Sequence, residues 1–167
     1  MELKNKVAES GIITIDLEKY FPVEDIVEFD IKPYLLRGLI LKEMEFRTSL
    51  KNIDWQEYKN KTVTLFCSSD AILPKWSYML ITQYLLPYTD KIYFGFPDEV
   101  EQHILLENIN KTDINPFVEQ RVVIKGCGNK KISDAAYIEI SKRLLPYVKS
   151  LFFGEPCSTV PVYKKKN

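Results

Sequence analysis

The spacing of apolar and polar positions changes period several times along this chain, and the changes mark its elements. Ile12-Ile13-Thr14-Ile15-Asp16-Leu17 and Ile26-Val27-Glu28-Phe29-Asp30-Ile31 are β-branched and partly alternating, so each predicts a strand. Residues 2–10 predict one or two turns of helix that stop at Gly11. From Tyr34 to Lys51 the apolar positions (Leu35, Leu36, Leu39, Ile40, Met44, Phe46 and Leu50) fall mostly three or four apart and predict a long helix. Gly38 lies inside that span at a cost of about 1 kcal/mol relative to Ala. Either another backbone packs closely there or the helix begins later.

Thr62 to Phe66 is a short β-branched and apolar run of the kind buried on both faces of a sheet. Pro74 suits the first turn of a helix that reaches Leu86, and Lys91 to Phe94 predicts the next strand. Asp98 and Glu101 read as a capping box that opens a helix to Ile109. The same succession then returns. Asp54, Tyr78, Leu85-Leu86-Pro87-Tyr88, Gly95 and Pro97 are matched, at a constant offset of 59, by Asp113, Tyr137, Leu144-Leu145-Pro146-Tyr147, Gly154 and Pro156. In the second copy Ser133 is the expected helix cap, with Ile138, Leu144 and Leu145 on the apolar side. Beyond Gly154 the tail is expected to lie extended and to fray at Lys164-Lys165-Lys166.

Strand, helix and strand written twice predict an α/β protein: a mostly parallel sheet built from two duplicated βαβ units, with helices on both faces and one or two N-terminal edge strands. Wound outward from the middle, the four strands of the repeat take the order 2-1-3-4, so that the first strands of the two copies are neighbours. A flatter α+β arrangement is the alternative. The organisation read from this is one domain, with N-terminal strands in 1–33, repeat units at 34–97 and 98–157, and a tail at 158–167.

Composition narrows the partners. The 23 basic and 23 acidic residues cancel, which leaves no global field to draw nucleic acid or anionic lipid. The apolar runs fall far short of the roughly 20 residues that cross a bilayer. The opening Met1-Glu2-Leu3-Lys4-Asn5-Lys6 is mixed in charge with no apolar signal core behind it, so a soluble cytoplasmic protein is expected. In a reducing compartment three cysteines are free thiols, metal ligands or redox groups rather than a disulfide framework.

Each cysteine sits where a strand of the repeat would end. In the order 2-1-3-4, Cys67, Cys127 and Cys157 follow three adjacent strands and converge on one sheet edge, where open parallel sheets bind their ligands. Three thiolates from separate loops suit zinc, iron or an iron–sulfur cluster. Their spacing matches no local ligand motif, and free cysteines also serve simply as core residues. Asp70 is the nearest candidate for a fourth ligand; Asp98 matches Cys157 by symmetry but is explained by capping. Ser68, Ser69, Lys125, Gly126, Ser158 and Thr159 would line the same edge. The serines could hold a phosphate or cap the next helix, with capping preferred. The Lys125-Gly126-Cys127-Gly128 turn could cradle an anion or be solvated. His103, the single histidine, reads as a surface or packing residue.

Gly11-Ile12-Ile13-Thr14-Ile15-Asp16-Leu17, Phe29-Asp30-Ile31-Lys32-Pro33, Gly38-Leu39-Ile40-Leu41-Lys42-Glu43, Phe46-Arg47, Cys67-Ser68-Ser69-Asp70-Ala71-Ile72, Pro74-Lys75-Trp76, Lys125-Gly126-Cys127 and Gly154-Glu155-Pro156-Cys157-Ser158-Thr159-Val160-Pro161 resemble an uncharacterised Bacteroidota family catalogued as domain of unknown function 2480. The likeness runs nearly end to end, and all three cysteine-bearing motifs keep their cysteines. The resemblance brings no assigned activity. It implies iron or cluster handling, and the iron–sulfur assembly machinery as partner, through a gene neighbourhood of sulfur-mobilisation genes. Three functional readings follow: a metal- or cluster-binding accessory protein; a small-molecule enzyme with a thiolate and Lys125 in a strand-end cleft; or an interaction module with core cysteines.

Overall fold

The computed structural model describes residues 11–125, 128–155 and 158–166. The expected helix over 2–10 lies outside them. The protein is mixed α/β, and among the described residues seven strands form two sheets. One sheet has the order β1 (Ile12–Ile15), β5 (Arg121–Ile124), β6 (Ser150–Glu155), β7 (Ser158–Lys164). The other has the order β2 (Ile26–Asp30), β3 (Thr62–Phe66), β4 (Ile92–Phe94). Every pairing is parallel except β6 with β7. The chain accordingly divides into two compact units, Val23–Glu101 carrying the first copy of the repeat, and the described residues up to Pro22 with those from Gln102 onward carrying the second.

This corrects the single sheet of order 2-1-3-4. The first strands of the two copies, β3 and β5, are not neighbours but the middle strands of separate sheets. Each is flanked on one side by its own second strand and on the other by one of the N-terminal strands. Parallel partners are joined only through long connections, so strand periodicity alone leaves their pairing open.

The offset of 59, in contrast, holds at the level of single hydrogen bonds. The central helices, α2 (Lys75–Leu85) and α4 (Asp134–Leu144), coincide under it, and so do their buried positions, Ser77, Ile81 and Leu85 with Ala136, Ile140 and Leu144. Leu86 N–H donates to Thr82 O, and Leu145 N–H to Ser141 O. Asp54 accepts from Gln56 N–H at 3.1 Å, and Asp113 from Asn115 N–H at 3.0 Å. Tyr78 meets Phe94 edge-on with ring centres 5.6 Å apart, the geometry repeated by Tyr137 and Phe153.

Each unit has its own core. In the first-copy unit Val63 and Leu65 of β3 pack with Phe29, Phe46, Leu50, Ile81 and Leu85. All five residues of β3 are buried, as its uninterrupted apolar and β-branched run predicts. Tyr34, Phe29, Trp55 and Tyr84 form a continuous stack with centre-to-centre steps of 5.6, 5.6 and 5.2 Å. The buried indole of Trp55 donates to Leu50 O at 2.9 Å, which satisfies its one polar atom. In the second-copy unit Val122, Ile124 and Leu151 pack with Leu105 and Ile109 of α3 (Pro97–Asn110) and with Ala136, Ile140 and Leu144. Ile138, expected on that apolar side, is instead exposed.

Two helix starts differ from expectation. The span 34–51 is not one helix: a 3-10 turn over Lys32–Tyr34 and a tight reversal at Arg37 and Gly38 (φ 53° and 70°) precede α1 (Glu43–Lys51). Leu36 and Ile40 bridge across that reversal, and no other backbone approaches Gly38. At α3 the back-bond is made by Glu99, not Glu101, and goes to Phe96 N–H at 3.0 Å; Val100 N–H then bonds Phe96 O. Pro97 sets the shift, because its fixed φ suits the first helical position and makes Phe96 the cap. Ser133 caps α4 by position but without a side-chain bond; its N–H donates to Gln102 Oε1 at 3.1 Å.

Candidate functional site

Both units end their middle strand at a loop tied to an aspartate at the end of the neighbouring N-terminal strand. In the first-copy unit that residue is Asp30, opposite Phe66 in the register. Its carboxylate accepts Ser68 Oγ–H at 2.5 Å, Ser68 N–H at 2.9 Å and Lys32 N–H at 2.9 Å. Partial burial pushes this carboxyl up, but the bonds from Ser68 and Lys32 together outweigh it and hold it below the usual Asp range. The loop after β3 is therefore anchored at Ser68. The serines do not cap α2, whose N-cap is Pro74 with no side-chain bond.

Cys67 is a free, half-buried thiol at the carboxyl end of β3, beside that anchor. Its Sγ lies 3.2 Å from Ser69 Oγ. Burial, and then the charge of Cys67, push the Tyr78 hydroxyl above the usual tyrosine value. Tyr78 also lines a pocket of about 400 Å³ together with Leu65, Thr82, Tyr93 and Phe94. Asp70, four residues past the strand end, is exposed.

In the second-copy unit the equivalent residue is Asp16, one past the Ile15–Ile124 pair. It accepts Glu18 N–H at 3.1 Å and the Lys125 ammonium at 3.3 Å. The hydrogen bond and charge of Asp16, with Glu155 and Glu18 adding, hold the Lys125 ammonium above the usual lysine value. Glu18 accepts Lys130 N–H, while the Lys130 ammonium stands 4.5 Å from the Phe21 ring centre. A Cβ at Gly128 would meet the Glu18 carboxylate, the end of a flexible side chain that would have to swing aside. Carboxylates of the same unit thus pair with Lys125 and accept the Lys130 N–H. Ser158 and Thr159 open β7 opposite Glu155 and Gly154, the serine exposed and the threonine half-buried.

The structure brings Cys67, Ser68 and Ser69 together around Asp30, and Lys125 with Asp16 and Glu18. It does not put Cys67 on a strand adjacent to those leading to Cys127 and Cys157, since β3 is in a different sheet from β5 and β6. Gly126, Cys127 and Cys157 lie outside the described residues. Among the described residues no group of three or more His, Cys, Asp or Glu is placed to hold a metal ion. His103 is on the exposed face of α3, 3.4 Å from Glu107. Asp30 and Asp16, which organise the two loops, were not foreseen. The available signal was that each predicted N-terminal strand carries an aspartate near its end.

The chain belongs to the family described as Protein of unknown function (DUF2480), whose model matches residues 1–165. Comparison with curated proteins and with solved structures gave no match. No helix among the described residues is long and apolar enough to cross a membrane.

Proposed function

We propose that this protein is a metal- or iron–sulfur-cluster-binding accessory protein that uses cysteine thiolates, Cys67 among them, as ligands. The observation that carries the reading is the free thiol of Cys67 at the carboxyl end of a fully buried parallel strand, on a loop pinned by the Asp30–Ser68 bonds. Strand ends of this kind are where α/β sheets place their ligands, and a loop fixed at its base presents a thiol with little conformational loss on binding. Cys67 supplies one of the three or four donors that such a centre takes. Bound there, zinc or a cluster would supply a structural or transfer centre held by thiolates. The partner that fits such a centre is the iron–sulfur assembly machinery.

The test is purification without oxygen, followed by assay of iron, zinc and acid-labile sulfide in wild-type protein and in Cys67→Ser. Stoichiometric metal in the wild type that falls several-fold in the variant is the expected result. Metal-free protein whose three thiols all react independently with a thiol reagent overturns the reading.

A further inference from the structure

A second concave feature lies away from the cysteine-bearing strand ends, at the start of the β5–β6 pair in the second-copy unit. Arg121 and Ser150 are register partners there, and Lys164 of β7 stands opposite Ser150 on the other side. Together with Lys149, Phe152 and Lys165 they line a pocket of about 440 Å³. Four of its six lining residues are cations. Lys165 is paired with Glu119, whereas Arg121, Lys149 and Lys164 have no anionic partner among the described residues. Ser150 is 4% exposed, and its Oγ is buried without a hydrogen-bond partner among the described residues. A buried hydroxyl left unpaired is costly, and one set among unneutralised cations is a donor waiting for an acceptor.

The duplication sharpens the point. At the matching positions of the first copy stand Thr62, Asp90 and Lys91, in place of Arg121, Lys149 and Ser150. The lysine there is neutralised by Glu24. The fold therefore does not require a basic cluster at this end of the sheet. The second copy gains Arg121 and Lys149 by substitution, loses a lysine at Ser150, and adds Lys164 of β7 and Lys165 just past it, β7 being a strand with no equivalent in the first-copy sheet.

We infer that this pocket binds a phosphate group carried by a small molecule. Arg121 offers the planar fork that suits phosphate oxygens. Lys149 and Lys164 supply point charges, the Ser150 hydroxyl donates from the floor, and Phe152 gives the rest of the ligand an apolar wall. The charge count favours a diphosphate or a phosphomonoester dianion over a single carboxylate.

Calorimetry of the full chain at low salt tests this with pyrophosphate and inorganic phosphate as probes and chloride at matched ionic strength as the blank. Pyrophosphate is expected to bind, phosphate more weakly. Arg121→Gln and Lys164→Gln are each expected to lower pyrophosphate affinity about tenfold, the loss of one charge-assisted hydrogen bond. Both side chains are on exposed residues, so these variants keep the fold. Lys142→Gln, on the exposed surface of α4, is the control and leaves affinity unchanged. Ser150→Ala is expected to weaken pyrophosphate several-fold while leaving the ligand-free protein at least as heat-stable. Pyrophosphate heats no larger than the chloride blank, or an equal loss in Lys142→Gln, overturns the inference. A single-stranded oligonucleotide that binds more tightly than pyrophosphate reassigns the surface to nucleic acid and overturns the small-molecule reading.

Discussion

Ser68 gives both its hydroxyl and its backbone N–H to the one carboxylate of Asp30, at 2.5 and 2.9 Å, across 38 residues of sequence. The bonds tie the thiol-bearing loop to the neighbouring strand. Asp30→Ala should cost about 2 kcal/mol, because hydrogen bonds to a charged acceptor are worth more than neutral ones and the exposed setting trims them. Urea unfolding measures the loss. The sign with pH follows from a carboxyl held low in the folded state: its contribution is complete above the unfolded value of about 3.9 and disappears as pH falls through the lower folded value. Asp30→Asn should flatten that part of the stability profile.

Thr64, in the middle of β3, is fully buried, and its Oγ1 has no hydrogen-bond partner among the described residues. Replacing it with Val keeps the β-branched shape and removes the unsatisfied group. Thr64→Val should raise stability by about 1 kcal/mol, or about 2–4 °C in melting temperature for a chain of this size. Lower stability in the variant would mean that the hydroxyl has a partner.

Asn60 and Glu119 occupy the same place in the two copies, each with a left-handed backbone, φ 61° and 56°, and each donating its N–H to a tyrosine carbonyl, Tyr88 or Tyr147. Asparagine adopts that conformation at lower cost than glutamate. Glu119→Asn should stabilise by about 0.5 kcal/mol, after the loss of an exposed ion pair with Lys165 that is worth little. A thermal melt beside the reverse swap, Asn60→Glu, should move in opposite directions.

Gly95 and Gly154 also coincide in the repeat, with φ 134° and 121°, but their surroundings differ. A Cβ at Gly95 would first meet Glu99 Oε2 at 3.1 Å, the end of a flexible side chain. One at Gly154 would stand 2.6 Å from the Ser158 carbonyl oxygen, which is backbone of the adjacent strand. Gly95→Ala should cost about 1–3 kcal/mol from backbone strain. Gly154→Ala should cost about 1–3 kcal/mol more, since the start of β7 must shift away from β6. Equal losses in chemical denaturation would refute the difference.

The repeat was legible because its signals are local. The Leu-Leu-Pro-Tyr helix end, the buried helix spacing and the strand-end glycine all act within a few residues, and each reappears 59 positions on. The helix within 34–51 takes the later start that Gly38 left open, at Glu43, because apolar spacing alone runs on through a glycine whose left-handed backbone reverses the chain. The sheet order failed for a different reason. β1 and β2 are similar β-branched runs that precede both copies, and nothing local in either tells it which middle strand to join. The site inherited that error: the convergence of three strand ends rested on β3 and β5 being neighbours, whereas the Asp30–Ser68 contact depends on the pairing of β2 with β3.

The pairing of β1 with β5 has a consequence for how the chain is made. Ile12 lies beside Arg121, so during synthesis β1 waits for more than a hundred residues before its partner emerges. All three strands of the Val23–Glu101 sheet are by then already available to one another. Vectorial synthesis thus offers the interrupted copy last and the embedded copy first. Until β5 is made, β1 lacks the strand it pairs with in the folded protein.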